Sequence, residues 1–230
     1  MTDFPPFQER VLQIALPVCE RFGLALAGGH AMRMHGLTDR PSEDLDFATA
    51  AETPLPQVAD GLAETFRRAG LEAAVREVTP RLGRLIVTEP VTGQRCELGL
   101  LREALQQGSV TVGELPVIGL DDLVGLKMRA LHERSLARDV IDVAAVSELY
   151  GFRELERLAR LHNEEFSIAE LVMRLEFVDL IADEEFEAYG LDEERIREIR
   201  LFATAWVEDI KLRRADEGDA EYDSDVPELD

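Results

Sequence analysis

The stretch from Ala27 to Phe47, AGGHAMRMHGLTDRPSEDLDF, constrains the fold of this chain more than any other. It begins with Gly28 and Gly29 after an apolar run and ends with Asp44 and Asp46 on either side of a leucine. Alternate residues of a β-strand project from the same face, so a strand here would point both aspartates to one side. The stretch therefore predicts a glycine turn, a short helix and a strand that carries paired carboxylates.

Paired carboxylates of this kind favour a bound cation. At a separation of about 4 Å and an effective dielectric of about 20, two such charges repel by about 4 kcal/mol. An all-oxygen pair suits a hard ion such as Mg²⁺ or Mn²⁺. The two glycines remove Cβ atoms where a backbone must approach a ligand, and the segment after them can offer N–H groups to a phosphate. These residues predict a metal-dependent nucleotide site; the alternative is a tight turn followed by two solvated aspartates.

Two further charged residues extend the candidate site. In the predicted strand 94–100 the cysteine and leucines share one face, which leaves Glu97 as the only carboxylate on the polar face. We expect Glu97 to act as a third metal ligand or a base, the alternative being a solvated edge residue. Lys127 is one of only two lysines beside 23 arginines, and it lies in an apolar segment. A compact ammonium there suits a triphosphate oxygen; the alternative is a surface lysine on a helix.

The charge of the chain bears on its partners. Its 230 residues carry 47 acidic and 25 basic side chains, a formal net charge of −22. Residues 1–147 hold 21 acidic and 15 basic side chains, and residues 148–230 hold 26 and 10. Nucleic-acid binders usually present a basic surface, so an RNA substrate would have to be held locally. The arginines expected to do this are Arg33, Arg40, Arg67, Arg68, Arg81 and Arg84.

The order of predicted elements indicates an α+β fold with two domains and a tail. Helices, short strands and a hairpin alternate up to residue 119, which predicts a small mixed sheet with flanking helices. Residues 120–214 are predicted to be a helical domain, and the acidic segment 215–230 is predicted to be disordered. In the first helix, Pro17 is expected to kink or end the helix.

No apolar run approaches a membrane span, and the N-terminal residues lack a signal pattern, so we expect a cytoplasmic protein with no membrane partner. Cys19 and Cys96 show no metal spacing, and buried reduced thiols are expected.

Two blocks of the sequence resemble a known family. Gly28 and Gly29, followed by the segment 40–47 (RPSEDLDF), are similar to the signature of the DNA polymerase β-type nucleotidyltransferase superfamily, and most similar to the AbiEii/AbiGii toxin family. The segment 127–143, KMRALHERSLARDVIDV, resembles that family's lysine and Arg-Asp motifs in the same order. Many members carry Gly-Ser where this chain has two glycines, so a serine hydroxyl that would meet the phosphate is missing at Gly29.

The resemblance implies a magnesium-dependent transfer of a nucleotide from a nucleoside triphosphate, as the toxin of a toxin–antitoxin pair with tRNA as acceptor and an antitoxin protein as partner. Transfer to a small molecule or a protein hydroxyl is the first alternative. A nucleotide-binding or interaction module without catalysis is the second.

The resemblance also implies the site residues. Asp44, Asp46 and Glu97 would hold the metal, and Gly28, Gly29, Arg40, Ser42 and Lys127 would bind the nucleotide in a groove between the two domains. In some toxins that resemble this chain the residue corresponding to Ser42 is phosphorylated by the antitoxin, which would add negative charge beside the aspartates. The alternative is a hydrogen bond of the Ser42 hydroxyl within the turn.

The second block leaves one choice open. Asp139 and Asp142 are expected to support catalysis, one of them pairing Arg138 or orienting Lys127, and the sequence does not indicate which.

Overall fold

The computed structural model describes residues 4–217, and the chain divides into two compact units between Leu123 and Val124. The first unit contains a mixed sheet with flanking helices, and the second is helical. The predicted fold class, an α+β domain with a mixed sheet followed by a helical domain, is confirmed. The predicted ranges 1–119 and 120–214 stay predictions, as the division at Leu123 falls inside a helix.

Seven strands form one sheet within the described residues. They are β1 (Ala25–Leu26), β2 (Leu45–Thr49), β3 (Glu72–Val78), β4 (Leu82–Thr88), β5 (Arg95–Arg102), β6 (Val110–Val112) and β7 (Leu115–Val117). Their order across the sheet is β3-β4-β5-β2-β1-β7-β6. The pairs β2–β5 and β1–β7 are parallel, and the remaining pairs are antiparallel. The strand that carries Asp46 therefore lies in the middle of the sheet, between β5 and β1.

Three helices of the first unit flank this sheet: α1 (Pro6–Phe22), α2 (Gly28–Met34) and α3 (Leu55–Arg68). The apolar residues of α1 and α3 recur at helical spacing and are buried, so each helix turns one stripe inward. Gly61 of α3 lets the two helices approach closely, since a Cβ at this position would lie 3.1 Å from the ring of Phe22.

The expectation that Pro17 ends the first helix was wrong, and a kink at Pro17 stays a prediction. Helix α1 continues through this proline to Phe22 and ends at Gly23, which has the left-handed φ of 61°. Pro17 is exposed while its neighbours Val18 and Cys19 are buried. Burial of the apolar stripe on both sides of the proline outweighs the one backbone hydrogen bond that the proline removes.

The second unit consists of helices joined by short loops. These are α4 (Leu120–Glu133, which begins in the first unit), α5 (Ala137–Val146), α6 (Phe152–His162), α7 (Ile168–Phe177), α8 (Asp183–Glu187) and α9 (Glu193–Glu217), with a 3-10 turn at Val178–Leu180. The core contains Trp206 of α9, which is fully buried and donates a hydrogen bond from Nε1 to the Glu156 carboxylate at 3.0 Å. A core position for Trp206 was predicted from its place on the apolar stripe and is confirmed.

Some elements were missed or bounded differently. The hairpin β6–β7 and the helix α8 were not predicted, because strands of three residues and a five-residue helix carry too little periodicity to detect. Helix α9 extends to Glu217, three residues into the segment predicted to be disordered. The rest of that segment, 218–230, lies outside the described residues.

Cys19 and Cys96 are buried free thiols, as predicted. Between residues 4 and 217, none of the helices has the length and apolarity that crossing a membrane requires.

Candidate active site

The candidate site of the first unit is built around the carboxylate of Asp46. Asp46 lies on β2 and is half-buried, and the parallel register places Gly99 of β5 directly opposite it. A Cβ at Gly99 would lie 2.3 Å from Asp46 Oδ1, so only glycine leaves room for this carboxylate. The role of Gly99 was not predicted from the sequence. A glycine inside an otherwise apolar strand was the available signal.

Gly28 approaches the same carboxylate from the other side. It begins α2 with a φ of 63°, a left-handed conformation that glycine adopts without strain. A Cβ at this position would lie 2.3 Å from Asp46 Oδ2. The backbone N–H of Ala27 donates to the Asp46 carbonyl at 2.7 Å, which holds the turn against β2. The Asp46 carboxylate therefore lies between two residues that have no side chains.

The other two predicted metal ligands are Asp44 and Glu97, which lie two residues before Asp46 and Gly99 in the chain. Asp44 is exposed and precedes β2 by one residue, rather than lying within the strand as predicted. The parallel register begins with Leu45 opposite Leu98, and Asp44 and Glu97 are the residues that directly precede these two in the chain.

The charges of Asp44 and Glu97 both affect the pKa of the buried Cys96 thiol. Burial raises the pKa of Cys96 to about 12, and the negative charges of Asp44 and Glu97 add to the effect. As predicted, Cys96 is buried and Glu97 exposed on alternate sides of β5.

Carboxylate oxygens are the donor set that a hard divalent cation prefers, so Asp44 and Asp46 fit Mg²⁺ by their chemistry. Among residues 4–217, however, no three His, Cys, Asp or Glu side chains are grouped closely enough to hold a metal ion. The assignment of Glu97 as a third ligand stays a prediction.

Arg40 and Ser42 converge beside Gly29. A Cβ at Gly29 would lie 2.7 Å from Ser42 Oγ and 3.2 Å from the Arg40 Nη2. The Arg40 side chain is buried, with 8% of the residue exposed, and its Nη1 donates to the Pro41 carbonyl at 3.2 Å. A hydroxyl and a guanidinium at one point next to a glycine backbone form a polar corner suited to an anion.

His30 follows this glycine and is buried behind it. Burial and the positive charge of Arg33 lower the pKa of His30 to about 4, and the charge of Arg40 adds to this effect. The ring is therefore neutral at pH 7 and leaves the positive charge of this corner to the arginines.

In the second unit, the choice between Asp139 and Asp142 is resolved by two separate ion pairs. Lys127 Nζ lies 2.7 Å from Asp142 Oδ2, and the Asp142 side chain is fully buried. Asp139 instead accepts from Arg134 Nη2 at 2.7 Å and from the Leu136 backbone at 3.2 Å. Asp142 thus orients Lys127, whereas the observed contacts of Asp139 are those of a residue that caps α5. A catalytic role for Asp139 stays a prediction.

Both the sequence and the fold of this chain are similar to those of known proteins. Residues 19–221 match the family model described as "Nucleotidyl transferase AbiEii toxin, Type IV TA system". The fold is similar to the crystal structure of JHP933 from Helicobacter pylori, with a TM-score of 0.57, 15% identity, and coverage of 93% of this chain and 96% of that one.

It is also similar to MenT4, a nucleotidyltransferase toxin from Mycobacterium tuberculosis H37Rv, with a TM-score of 0.50, 16% identity, and coverage of 87% and 91%. At 15% and 16% identity, the similarity to these two structures shows a shared fold and nothing finer. No curated protein matches the sequence significantly.

Proposed function

The chain belongs to the AbiEii nucleotidyl transferase toxin family, and from this premise we propose that it transfers a nucleotide from a nucleoside triphosphate to an RNA acceptor such as tRNA. The observation that carries the proposal is the position of the Asp46 carboxylate between Gly28 and Gly99, at each of which a Cβ would lie 2.3 Å from one of its oxygens. We place the reaction in the cytoplasm, where nucleoside triphosphates are available, with an antitoxin protein as regulatory partner.

In this reaction an acceptor hydroxyl attacks the α-phosphorus and pyrophosphate leaves. The protein positions the reactants and neutralises charge rather than forming covalent bonds. Asp44 and Asp46 would hold Mg²⁺, which when bound supplies charge stabilisation at the phosphate oxygens. The Arg40 guanidinium would supply a fixed positive charge beside Gly29.

Lys127 is proposed to act on the triphosphate as well. Its pairing with the buried Asp142 limits the positions of the ammonium, which suits a group that must contact a phosphate oxygen without moving. That Lys127 and the aspartates serve the same nucleotide stays a prediction, and the variant Lys127→Met tests it alongside the aspartates.

The direct test is transfer of label. The protein is incubated with each labelled nucleoside triphosphate, MgCl₂ and total tRNA, beside Asp44→Asn and Asp46→Asn. We expect labelled RNA with the unaltered protein and a loss of about a hundredfold or more in both variants, since each removes a charge that the transition state requires. Asp39→Asn, which neutralises an exposed acid shortly before the motif, is the matched control and should retain activity. Equal labelling by Asp46→Asn and the unaltered protein would refute the mechanism.

The acidic charge of the chain favours a second candidate, transfer to a small molecule or to a protein hydroxyl. Label that appears without RNA, on a small acceptor or on the protein itself, would identify this reaction. A calorimetric titration with MgCl₂ and each triphosphate separates both reactions from a non-catalytic interaction module, which should give no heat.

A further inference from the structure

A few arginines of the first unit have side chains without a partner. They are Arg76, Arg81, Arg84 and Arg95. Between residues 4 and 217, their side chains make no hydrogen bond, ion pair or ring contact, whereas every other arginine of this unit makes at least one. In a chain with a net charge of −22, arginines that leave the surrounding acids unpaired are available to an anion from outside.

Three of these arginines project from one face of the sheet. The antiparallel register of β4 and β5 puts Arg84 opposite Gly99 and, four residues along, Thr88 opposite Arg95. Opposite residues and alternate residues share a face, so Arg84 and Arg95 point to the same side. Arg76 of β3 joins them, because it lines one pocket with Thr88 and Arg95. We call the exposed side chains of Arg76, Arg84 and Arg95 the arginine face.

The arginine face is continuous with the candidate active site. Gly99 lies opposite Arg84 on one side and opposite Asp46 on the other. Because Gly99 has no side chain, Arg84 is the next side chain along this row from Asp46, at two strand spacings or about 10 Å. Arg95 lies four residues further along the strands, about 13 Å from the row. A chain molecule bound to the arginine face therefore leads to the carboxylate.

The composition of this face favours contacts with phosphates over contacts with bases. Strands β3, β4 and β5 contain no aromatic residue on which a base could stack. The pocket that Arg76 and Arg95 line has a volume of about 210 Å³, below the roughly 300 Å³ at which pockets for drug-sized ligands begin, which suits a single sugar-phosphate unit. A guanidinium matches the geometry of phosphate oxygens, and the exposed Glu72 and Glu77 on β3 confine an anionic strand to the arginines.

We propose that the arginine face binds the phosphate backbone of the acceptor RNA without selecting its base sequence. Of the six arginines expected from the sequence to hold RNA, this surface retains Arg84, and it adds Arg76 and Arg95. The inference rests on the proposed function, because the RNA is the acceptor of that reaction and its end must reach Asp46.

The test compares two triple variants with a matched control. Arg76→Gln/Arg84→Gln/Arg95→Gln removes the three charges, and the corresponding triple lysine variant retains them. Arg68→Gln, which removes an exposed arginine of α3 that is paired with Glu64, is the control. Thermal unfolding checks that every variant is folded, and substitutions of exposed side chains should shift the midpoint little.

Affinity for labelled total tRNA is measured from about 0.05 to 0.3 M KCl, together with transfer of nucleotide to the same RNA. Each lost phosphate contact lowers the slope of log affinity against log salt by about 0.7, so the glutamine variant should lose roughly two units of slope. We expect its KM for tRNA to rise about tenfold or more, with the KM for the triphosphate unchanged. The lysine variant and Arg68→Gln should keep the original slope.

Failure of this inference is distinguishable from failure of the proposed function. If the glutamine variant keeps the tRNA affinity, salt slope and KM of the unaltered protein while Asp46→Asn loses transfer, the inference is wrong and the proposed function stands. A rise in the KM for triphosphate instead of tRNA would assign the arginines to the nucleotide and overturn it. Loss of binding to poly-glutamate but not to tRNA would indicate an acidic protein partner and would also overturn it. An unaltered protein that neither binds tRNA nor transfers nucleotide overturns both proposals.

Discussion

At the scale of single residues, the site depends on two glycines, which have no side chain to occupy the space beside Asp46. The Asp46 carboxylate fits between Gly28 and Gly99, where a Cβ at either position would come within 2.3 Å of its oxygens. Because a protein interior is closely packed, a methyl group added at such a point must displace the carboxylate or the backbone. The glycines thereby fix where this charge can lie.

Gly99→Ala tests this dependence. Its Cβ would move Asp46 Oδ1 from its place, and a displacement near 1 Å at a reacting centre can lower the rate about a hundredfold. We expect that loss in nucleotide transfer, measured with labelled triphosphate. Gly108→Ala is the matched control because a Cβ there meets no atom within 4 Å. Full activity of Gly99→Ala would contradict the role assigned to the glycine.

His30 makes stability depend on pH in a defined window. Its pKa is about 4 in the folded protein against an ordinary 6.5, so the unfolded chain binds the proton more readily between these values. Stability is therefore retained above pH 6.5 and lost as the pH falls towards 4, by about 2 kcal/mol between pH 7 and pH 5.

The measurement is urea unfolding of the unaltered protein and His30→Gln across this range. The difference between the two curves isolates His30 from His132, whose pKa burial also lowers, and from the carboxylates. Parallel curves would show that His30 does not titrate as described.

At the scale of elements, helices of this chain tolerate unfavourable residues where tertiary packing supports them. Helix α1 carries an exposed proline in its interior, and α4 and α5 are joined by a buried ion pair between Lys127 and Asp142. In both cases local chemistry alone would disfavour the arrangement, and apolar burial on neighbouring positions offsets it.

Pro17→Ala should stabilise the protein. The substitution restores an N–H donor to α1 and removes a ring from an exposed position, while it gives the unfolded chain more freedom. The expected net gain is about 1–2 kcal/mol in the free energy of unfolding, measured by urea denaturation. Gln13→Ala, an exposed change one turn earlier, should stay within about 0.5 kcal/mol. If Pro17→Ala leaves the free energy of unfolding unchanged, α1 is already strained at this turn.

Asp142→Asn should destabilise the second unit. It leaves the Lys127 ammonium, whose side chain is only 12% exposed, without its counter-charge. Breaking such a buried pair costs about 3 kcal/mol or more, which urea unfolding would detect. Glu176→Gln breaks the exposed pair with Lys211 and should cost less than about 1 kcal/mol. If both variants lower the free energy of unfolding equally, the buried Lys127–Asp142 pair contributes no more to stability than an exposed ion pair.

At the scale of the whole molecule, excess negative charge opposes folding. The chain carries a net charge of −22, and residues 148–230 hold 26 acidic against 10 basic side chains. Repulsion between like charges favours expanded states, and salt screens it over a distance of about 10 Å at 0.1 M.

The unfolding midpoint should therefore rise as NaCl increases from about 0.05 to 0.5 M at pH 7, each 1 kcal/mol of screening corresponding to about 2–4 °C. Repeating the series near the sequence pI of 4.5, where the net charge vanishes, is the control and should remove the rise. A midpoint that falls with salt at pH 7 would mean that attractive ion pairs outweigh the repulsion.

Several features were predictable because they depend on residues close together in the chain. The glycine turn before α2, the strand with Asp46, the β4–β5 hairpin and the helical second unit all follow from local periodicity and turn residues. The family was predictable as well, because its two motifs are short and retain their order.

Other features required the tertiary structure because they depend on which distant segments meet. Gly99 faces Asp46 only through the parallel pairing of β2 with β5, which local spacing does not specify. The choice of Asp142 over Asp139 as the partner of Lys127 depends on how α4 packs against α5. Ser42 reaches Gly29 because β2 returns beside β1, so two positions that look independent in the sequence share one space. Residue chemistry and local periodicity were sufficient to select the groups of this site, whereas strand register and helix packing decided which of them meet.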